Sequence, residues 1–267
     1  MSDRPLVYTE FAPGDAARDI ALTYWSFQVH ALPHEGFVHR VWPDGCITLT
    51  LVCVGGRAVG AHVLGVRQSA FEVPLFAGAR YWGVRFRPEA GARWLGVAPA
   101  QLREQSALAV TLLGDDVLTM AADVARLDDE AMVRARLDAW IVSRSAALPA
   151  IDGVVRSAVA AIVATNGQRS ITDIARDVGV SARVLQRRFA ASVGISPKAF
   201  AVLRRGRGAI KRVLSKDADV GGWSAVALSS GYADQAHFTR EVARLTRFAP
   251  TALQARLATI EHERLVD

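Results

Sequence analysis

Residues Ser170 to Ala191, S-I-T-D-I-A-R-D-V-G-V-S-A-R-V-L-Q-R-R-F-A-A, predict two short helices joined by a tight turn. Four small or branched apolar residues recur at i, i+3, i+4 and i+7 from Ile171 to Val178, which places them on one face of the first helix. Ser170 is suited to cap that helix, and Gly179 to end it in the left-handed conformation. Together these features indicate a helix-turn-helix.

The second predicted helix follows Ser181 and has one apolar and one polar face. Leu185 and Phe189, four residues apart, face inward. The outward stripe consists of Arg183, Gln186, Arg187 and Ala190. Arg pairs with two acceptors of guanine in the major groove, and Gln pairs with a donor and an acceptor of adenine. The stripe therefore suits DNA recognition, although solvated polar residues on an ordinary helical hairpin give the same pattern.

The composition is that of a globular protein whose positive charge lies in its C-terminal part. Apolar residues make up 51% and charged residues 22% of the 267 positions, which excludes a disordered chain and allows two domains. Residues 165–267 contain 17 Lys and Arg against 9 Asp and Glu, a net charge of +8, whereas residues 1–164 contain 15 against 17. A basic surface attracts nucleic-acid phosphates whatever the base sequence.

The chain lacks the sequence features of a secreted or membrane protein. Its N-terminal residues do not resemble a signal or transit peptide, and no run approaches the roughly 20 apolar residues that span a bilayer. Cys46 and Cys53 lie seven residues apart in a predicted strand and point to opposite faces, which disfavours a disulfide. We therefore expect a cytoplasmic protein with no membrane partner. Cys46 is either a buried apolar residue or a thiol sensor whose pKa is lowered by Arg40 or Arg85.

The N-terminal half predicts a small β-barrel or sandwich with flanking helices, and hence an α+β fold class. Its predicted strands are Tyr24–Val29, Val38–Trp42, Ile47–Val54, Arg57–Leu64, Phe71–Leu75 and Tyr81–Arg87. Helical periodicity follows in Thr111–Arg126, Asp129–Ser143 and Asp152–Ala164. We expect a domain boundary between Leu148 and Gln168, which gives an N-terminal sensor or dimerisation domain (1–150) and a C-terminal DNA-binding domain (151–267).

A second helix-turn-helix unit repeats the first. Trp223, Val226, Ala227 and Ser230 lie 52 residues after Ile171, Ile174, Ala175 and Val178, and Asp234, Phe238 and Arg240 lie 53 residues after Ser181, Leu185 and Arg187. The units, at about 170–191 and 222–245, are joined by a long helix that starts at Pro197, so the C-terminal domain is predicted to be all-α. A duplicated unit rarely arises by chance, and two such helices fit major-groove segments about 34 Å apart.

The last hundred residues resemble the AraC/XylS family of bacterial transcription regulators. The resemblance rests on Ile171-x-x-Ile174-Ala175, Leu185-x-Arg187-x-Phe189, Gly194-Ile195-Ser196-Pro197 and Gly231-Tyr232-Ala233-Asp234-Gln235-Ala236-His237-Phe238-Thr239-Arg240. It implies that the protein binds double-stranded DNA and regulates transcription, with RNA polymerase as a candidate partner. The base-reading residues that it implies are Arg183, Gln186 and Arg187 in the first unit and Gln235, Ala236, Thr239 and Arg240 in the second.

Three positions of the second unit depart from the family pattern. Val242 replaces an aromatic residue, Arg247 replaces a glycine, and Ala249 replaces the Ser or Thr before Pro250. All three belong to the support of the second recognition helix, whereas Ala236 lies on its reading face and offers little side chain for base contact. Because of these departures, the sequence determines how the second unit binds to DNA less closely than it does for the first unit.

The N-terminal half is similar to an uncharacterised sensor-type domain found in a subset of these regulators. The similarity rests on Trp42-Pro43-Asp44-Gly45-Cys46 and Gly83-Val84-Arg85-Phe86-Arg87-Pro88. By analogy it implies a cupin-like barrel that binds a small-molecule effector or mediates self-association into a homodimer. Candidate ligand contacts are Trp25, Trp42, Cys46, Trp82 and Arg85, with core packing as the alternative role for the aromatic residues.

We expect no enzyme activity, no cofactor and no metal. A cupin-type metal centre needs two or three histidines that converge with a carboxylate. The candidates are His30, His34 and His39 with Glu35, while His62 stands alone. The chain has no His-x-His pair, no Gly-rich phosphate loop and no Ser-His-Asp context. Two alternatives remain, a metal-dependent cupin-like enzyme that carries a DNA-binding domain and a constitutive binder without an effector.

Overall fold

The structure is a computed structural model that describes residues 5–32, 37–145, 148, 150–214, 222–249, 252 and 261–264. It has an N-terminal sheet domain and a C-terminal helical helix-turn-helix region, which confirms the α+β fold class. The described strands are β1 (Leu6–Phe11), β2 (Ala21–Val29), β3 (His39–Val41), β4 (Thr48–Val54), β5 (Arg57–Leu64), β6 (Phe71–Val73), β7 (Ala79–Phe86), β8 (Ser106–Leu108) and β9 (Glu261–Arg264).

Seven of these strands form one sheet in the order β8-β5-β4-β7-β2-β1-β9, and β3 and β6 form a second sheet of two strands. The apolar cluster that contains Phe27 and Tyr81 of the large sheet also holds Val73 of β6, so the small sheet packs on one face of the large one. This two-layer arrangement corresponds to the sandwich among the predicted alternatives. β1 is missing from the prediction because five of its six residues are buried, and it lacks the alternation of a half-exposed strand.

The described helices are α1 (Gly91–Trp94), α2 (Pro99–Leu102), α3 (Ala109–Leu113), α4 (Asp116–Ala125), α5 (Glu130–Ser145), α6 (Gly153–Ala164), α7 (Ile171–Asp177), α8 (Ala182–Val193), α9 (Pro197–Leu214), α10 (Gly222–Ser229) and α11 (Gln235–Thr246). The single helix predicted for residues 111–126 is divided into α3 and α4, because Gly114 adopts a left-handed φ of +74° between them.

One hydrophobic core runs from the large sheet through the connecting helices into the first helix-turn-helix. The same cluster of buried side chains contains Leu49 and Val84 of the sheet, Trp140 of α5, and Ile174 and Phe189 of the first unit. Helix α5 packs on α4, whereas α6 contacts α7, α8 and α9. The second unit has a separate, smaller core around Phe238.

Candidate nucleic-acid interface

The two helices of the first unit begin and end where the sequence predicts. The Ser170 hydroxyl accepts from the backbone N–H of Asp173 at 3.1 Å, and the Ser181 hydroxyl accepts from that of Val184 at 3.3 Å. Gly179 has a left-handed φ of +74°, which turns the chain between α7 and α8. The caps and the glycine fix the angle at which α8 leaves the turn.

The inward face of α8 holds it against the rest of the protein. Leu185 and Phe189 have no exposed surface, and the Phe189 ring lies 5.6 Å from the ring of Phe200 in α9. Ile174 and Ala175 of α7 are buried in the same cluster. This packing leaves the opposite face of α8 toward solvent.

The exposed face of α8 carries side chains that form no pair within the described part of the chain. Arg183, Gln186 and Arg187 are exposed, and within the described ranges none of them forms an ion pair or a side-chain hydrogen bond. Arg188, the next residue, is instead held by Asp152 through two hydrogen bonds of 2.6 and 2.7 Å. One arginine of α8 is therefore structural, whereas two are available for an external acceptor such as a base edge or a phosphate.

The second recognition helix, α11, is built in the same way. The Asp234 carboxylate accepts from the backbone N–H of His237 at 2.6 Å, and Phe238 and Val242 are fully buried. Its outward residues Gln235, Ala236 and Arg240 are exposed, while Thr239 is half-buried. The Ser224 hydroxyl of α10 donates to Gln235 Oε1 at 2.7 Å, so one of the predicted reading side chains is already oriented by its own unit.

A buried charge cluster that the sequence analysis does not predict joins α11 to α9. Glu241 is 9% exposed and accepts from Arg205 Nη2 at 3.0 Å and from the Tyr232 hydroxyl at 2.6 Å. The Arg205 guanidinium lies 4.7 Å from the Tyr232 ring centre, and burial raises the pKa of Tyr232. The available signal was Glu241 itself, because a carboxylate three residues after the inward-facing Phe238 needs a buried partner.

Comparison with known protein families identifies the same helix-turn-helix region. The sequence model of a family described as "Helix-turn-helix domain" matches residues 166–256. A probable AraC family transcriptional regulator from Rhodopseudomonas palustris CGA009 is 31% identical over 39% of this chain and 97% of its own, with a TM-score of 0.35. The chain belongs to the AraC/XylS family of transcriptional regulators. Comparison with curated proteins gives no match.

Further similarities extend over both parts of this AraC-family chain. Residues 9–107 match a family described as "Domain of unknown function (DUF6597)". An AraC-type regulator from Chromobacterium violaceum is 24% identical over 39% of this chain and 92% of its own, with a TM-score of 0.36. Unsaturated fatty acid-bound ToxT from Vibrio cholerae is 11% identical over 98% of this chain and 100% of its own, with a TM-score of 0.46.

The departure from the AraC-family pattern at Arg247 has a visible conformational cost. Arg247 follows α11 with a φ of +60°, a left-handed conformation in which an L side chain is strained and glycine is not. Arg247→Gly is therefore expected to raise the free energy of unfolding by about 1 kcal/mol. Thermal unfolding of the two proteins measures the change.

A matched glycine substitution separates this effect from a general effect of glycine. Arg244 is exposed and lies inside α11, so Arg244→Gly should lower the free energy of unfolding by about 1 kcal/mol. If both variants are destabilised alike, the strain assigned to Arg247 is absent.

The N-terminal domain of the AraC-family chain contacts the second helix-turn-helix directly. Trp42 packs against the core of that unit, and the Arg40 guanidinium lies 4.4 Å from the Phe248 ring centre. The backbone N–H of Ala70 donates to the carbonyl of Leu245 at 3.0 Å, near the C-terminal end of α11. The orientation of the second recognition helix is thus held from outside its own unit.

The Asp44-Gly45 turn of the N-terminal domain packs against α9. Gly45 has a φ of +80° and lies so close to Phe200 that a Cβ atom would come within 2.5 Å of the ring. Asp44 forms an ion pair of 2.7 Å with Arg85, which also binds Glu10 at 2.7 Å. These two ion pairs connect Glu10 of β1 and Arg85 of β7 to the turn that contacts the DNA-binding part.

The five predicted ligand contacts lie on both faces of the large sheet and at the domain junction. Trp82 points into the helix-facing core, whereas Trp25 and Arg85 share the other face of the sheet. Arg85 pairs with Asp44, whose carboxylate also accepts from the backbone N–H of Cys46, and Trp42 packs against the core of the second unit. Burial raises the pKa of the Cys46 thiol and the carboxylate of Asp44 adds to the increase, so the structure does not favour a thiolate sensor there.

The described residues were also compared with what a metal centre and a membrane-spanning helix require. Among the described residues, no group of three His, Cys, Asp or Glu side chains is placed to hold a metal ion, and His34 and Glu35 lie outside those residues. In the same part of the chain, no helix is both long and apolar enough to cross a bilayer.

Proposed function

We propose that this AraC-family regulator reads a specific site in double-stranded DNA with two recognition helices, and that its N-terminal domain controls the reading. The observation that carries the proposal is a contrast on α8. Arg188 is held by Asp152, whereas Arg183 and Arg187 are exposed and pair with no other described residue. A side chain that is ordered on a helix but unpaired is suited to bind an external acceptor. Arg183, Gln186 and Arg187 take the base-reading role in the first unit.

In the second unit the base-reading role falls to Gln235, Ala236, Thr239 and Arg240. Because Ser224 occupies one lone pair of Gln235 Oε1, the amide group keeps both N–H donors for acceptors in the groove. The methyl group of Ala236 suits contact with a thymine methyl. Arg240 is exposed and suits a guanine.

Control by the N-terminal domain is supported by its contacts with both units. Trp42 and the backbone of Ala70 contact the second unit, while α1 and α2 contact α8 in the first. A ligand or a second copy of the chain that favours one arrangement of these contacts would shift the relative orientation of the two recognition helices. We propose that a small-molecule effector or a homodimer has this role. The domain boundary is proposed to lie between α5 and α6. RNA polymerase is the proposed partner of the DNA-bound protein, in the cytoplasm.

The test is selection of genome-derived DNA fragments by the full-length protein at about physiological salt, where binding through phosphates alone is weakened. The expected result is a motif with two half-elements whose centres are about one helical turn apart. Equal recovery of all fragments would contradict sequence-specific binding. A motif with one half-element would contradict the role assigned to α11.

A further inference from the structure

Helix α9, which joins the two helix-turn-helix units, has two glycines, Gly206 and Gly208, inside its 18 residues. Glycine is unfavourable in the middle of a helix because it loses more conformational freedom on folding than any other residue, so its presence there indicates a packing requirement. Residues two apart on a helix are separated by about 200° around its axis. The two glycines therefore lie on opposite sides of α9.

Gly206 faces the second helix-turn-helix. A Cβ atom at this position would come within 2.1 Å of Leu245 Cδ1 in α11, whereas carbon atoms in normal contact are about 3.5–4.0 Å apart. Leu245 is 2% exposed, so its side chain is packed on all sides and has little room to turn away. Among the amino acids, only glycine at position 206 allows α11 to lie at its present distance from α9.

Gly208 faces the turn that leads into the first helix-turn-helix. A Cβ atom on Gly208 would lie 3.0 Å from Asn166 Oδ1 and 3.1 Å from Asn166 Cγ, both closer than an ordinary contact. The same turn also touches α9 at Ala201, because a Cβ atom on Gly167 would come within 1.9 Å of the Ala201 carbonyl oxygen. These close approaches hold the start of the first unit against α9.

The two units also touch each other directly. Gly231, which follows α10, has a φ of +76°, and a Cβ atom there would come within 3.2 Å of Gln168 Cγ, just before α7. Gln168 Nε2 lies 3.5 Å from the Ser229 carbonyl oxygen, to which Arg212 of α9 donates at 2.7 Å. The close contacts oppose a nearer approach of the two units, and the hydrogen bonds oppose their separation.

We propose that Gly206 and Gly208 set the distance between the two recognition helices and thereby select the spacing of the half-elements in DNA. The inference rests on the proposed function. A change of one base pair in that spacing moves one half-element by about 3.4 Å along the duplex and turns it by about 34–36°. A reorientation of α11 by the N-terminal domain turns this helix but does not supply that displacement while Leu245 contacts α9. A site with altered spacing therefore engages one recognition helix only.

The distance is tested first without DNA, by pulsed electron spin resonance on the full-length protein with spin labels at Ala190→Cys and Ala236→Cys. These positions are exposed on α8 and α11, whereas the native Cys46 and Cys53 are buried and do not compete for the label. We expect one narrow distance. Gly206→Ala should lengthen or broaden it, because the added methyl group needs about 1.5 Å more room. Gly208→Val should act likewise from the other side of α9.

A compensating substitution shows whether the contact with Leu245 causes the change. Leu245→Val removes about as much volume as Gly206→Ala adds, and the next atom of Leu245, Cγ, would lie 3.6 Å from the new Cβ atom, an ordinary contact. The double variant should therefore recover the original distance. Gly153→Ala is the matched control, because Gly153 begins α6 and a Cβ atom there meets nothing within 4 Å. It should leave the distance unchanged.

The second test is titration of a selected DNA site and of two derivatives in which one base pair is added or removed between the half-elements. We expect the unmodified protein to lose at least about tenfold in affinity on both derivatives. Gly206→Ala should lose a similar factor on the selected site, and the double variant should recover it. A fragment with the half-element of α8 alone should bind Gly206→Ala and the unmodified protein equally, which shows that the variant has kept its fold.

Three results would overturn the inference. They are a broad distance distribution in the unmodified protein, a distance that Gly206→Ala leaves unchanged, and equal affinity for the three spacings. Distances that respond as expected, without any sequence-specific DNA binding, would contradict the proposed function alone.

Discussion

Replacement of Phe189 by alanine is expected to lower the free energy of unfolding by about 3–5 kcal/mol. The ring has no exposed surface and packs on Phe200, in a cluster that continues into the sheet domain. Because the surrounding side chains come from α7, α8 and α9, the structure has little freedom to collapse into the space that the ring leaves. Urea denaturation followed by circular dichroism measures the loss.

Gln186→Ala is the matched control for this substitution. Gln186 belongs to the same helix but lies on its exposed face, so its replacement should change the free energy of unfolding by less than about 0.5 kcal/mol. A loss below about 1 kcal/mol for Phe189→Ala would mean that α8 presents a different face to the core. The assignment of Arg183 and Arg187 to the outer face would then be wrong.

Arg205→Ala is expected to destabilise the second unit by about 3 kcal/mol, because Glu241 keeps its charge in a buried site and loses its cationic partner. Tyr232 still donates to Glu241, but a single neutral donor does not replace the bidentate guanidinium. The change should also weaken DNA binding, since the pair fixes α11 on α9. Thermal unfolding and DNA titration of the same sample measure both effects.

A double substitution distinguishes an unpaired charge from a lost packing contact. Arg205→Leu with Glu241→Leu removes both charges and fills the site with apolar groups, so it should recover most of the stability that Arg205→Ala loses. If the double variant is less stable than Arg205→Ala, the buried pair contributes directly to stability.

The periodic part of the fold is predictable from the sequence because its signals are local. Ser170, Ser181 and Asp234 cap helices where their spacing indicates, and Gly179 has the left-handed conformation that its position requires. The inward and outward faces of α8 follow from a period of 3.6 residues. Its solvent-exposed stripe is therefore predicted before the fold is known.

Contacts between distant parts of the chain cannot be predicted from local sequence patterns. Gly45 packs against Phe200, and Trp42 packs against the second unit, only because of how the two domains pack together. The spacing of apolar residues within one helix or strand does not predict such contacts. The sequence indicates Arg85 and Trp42 as ligand contacts because it shows charged and aromatic residues in a predicted barrel. In the structure Arg85 pairs with Asp44, and Trp42 packs against the core of the second unit.

Base recognition is tested most directly by the base preference of single recognition-helix variants on a selected DNA site. Arg187→Ala and Arg240→Ala are each titrated against a set of sites in which every base pair is replaced in turn. We predict that each variant loses about 1–3 kcal/mol on the intact site and becomes tolerant at one or two base pairs, in half-elements about one helical turn apart. Equal weakening on every site by both variants would contradict base recognition by α8 and α11, because the two arginines would then bind phosphates and not bases.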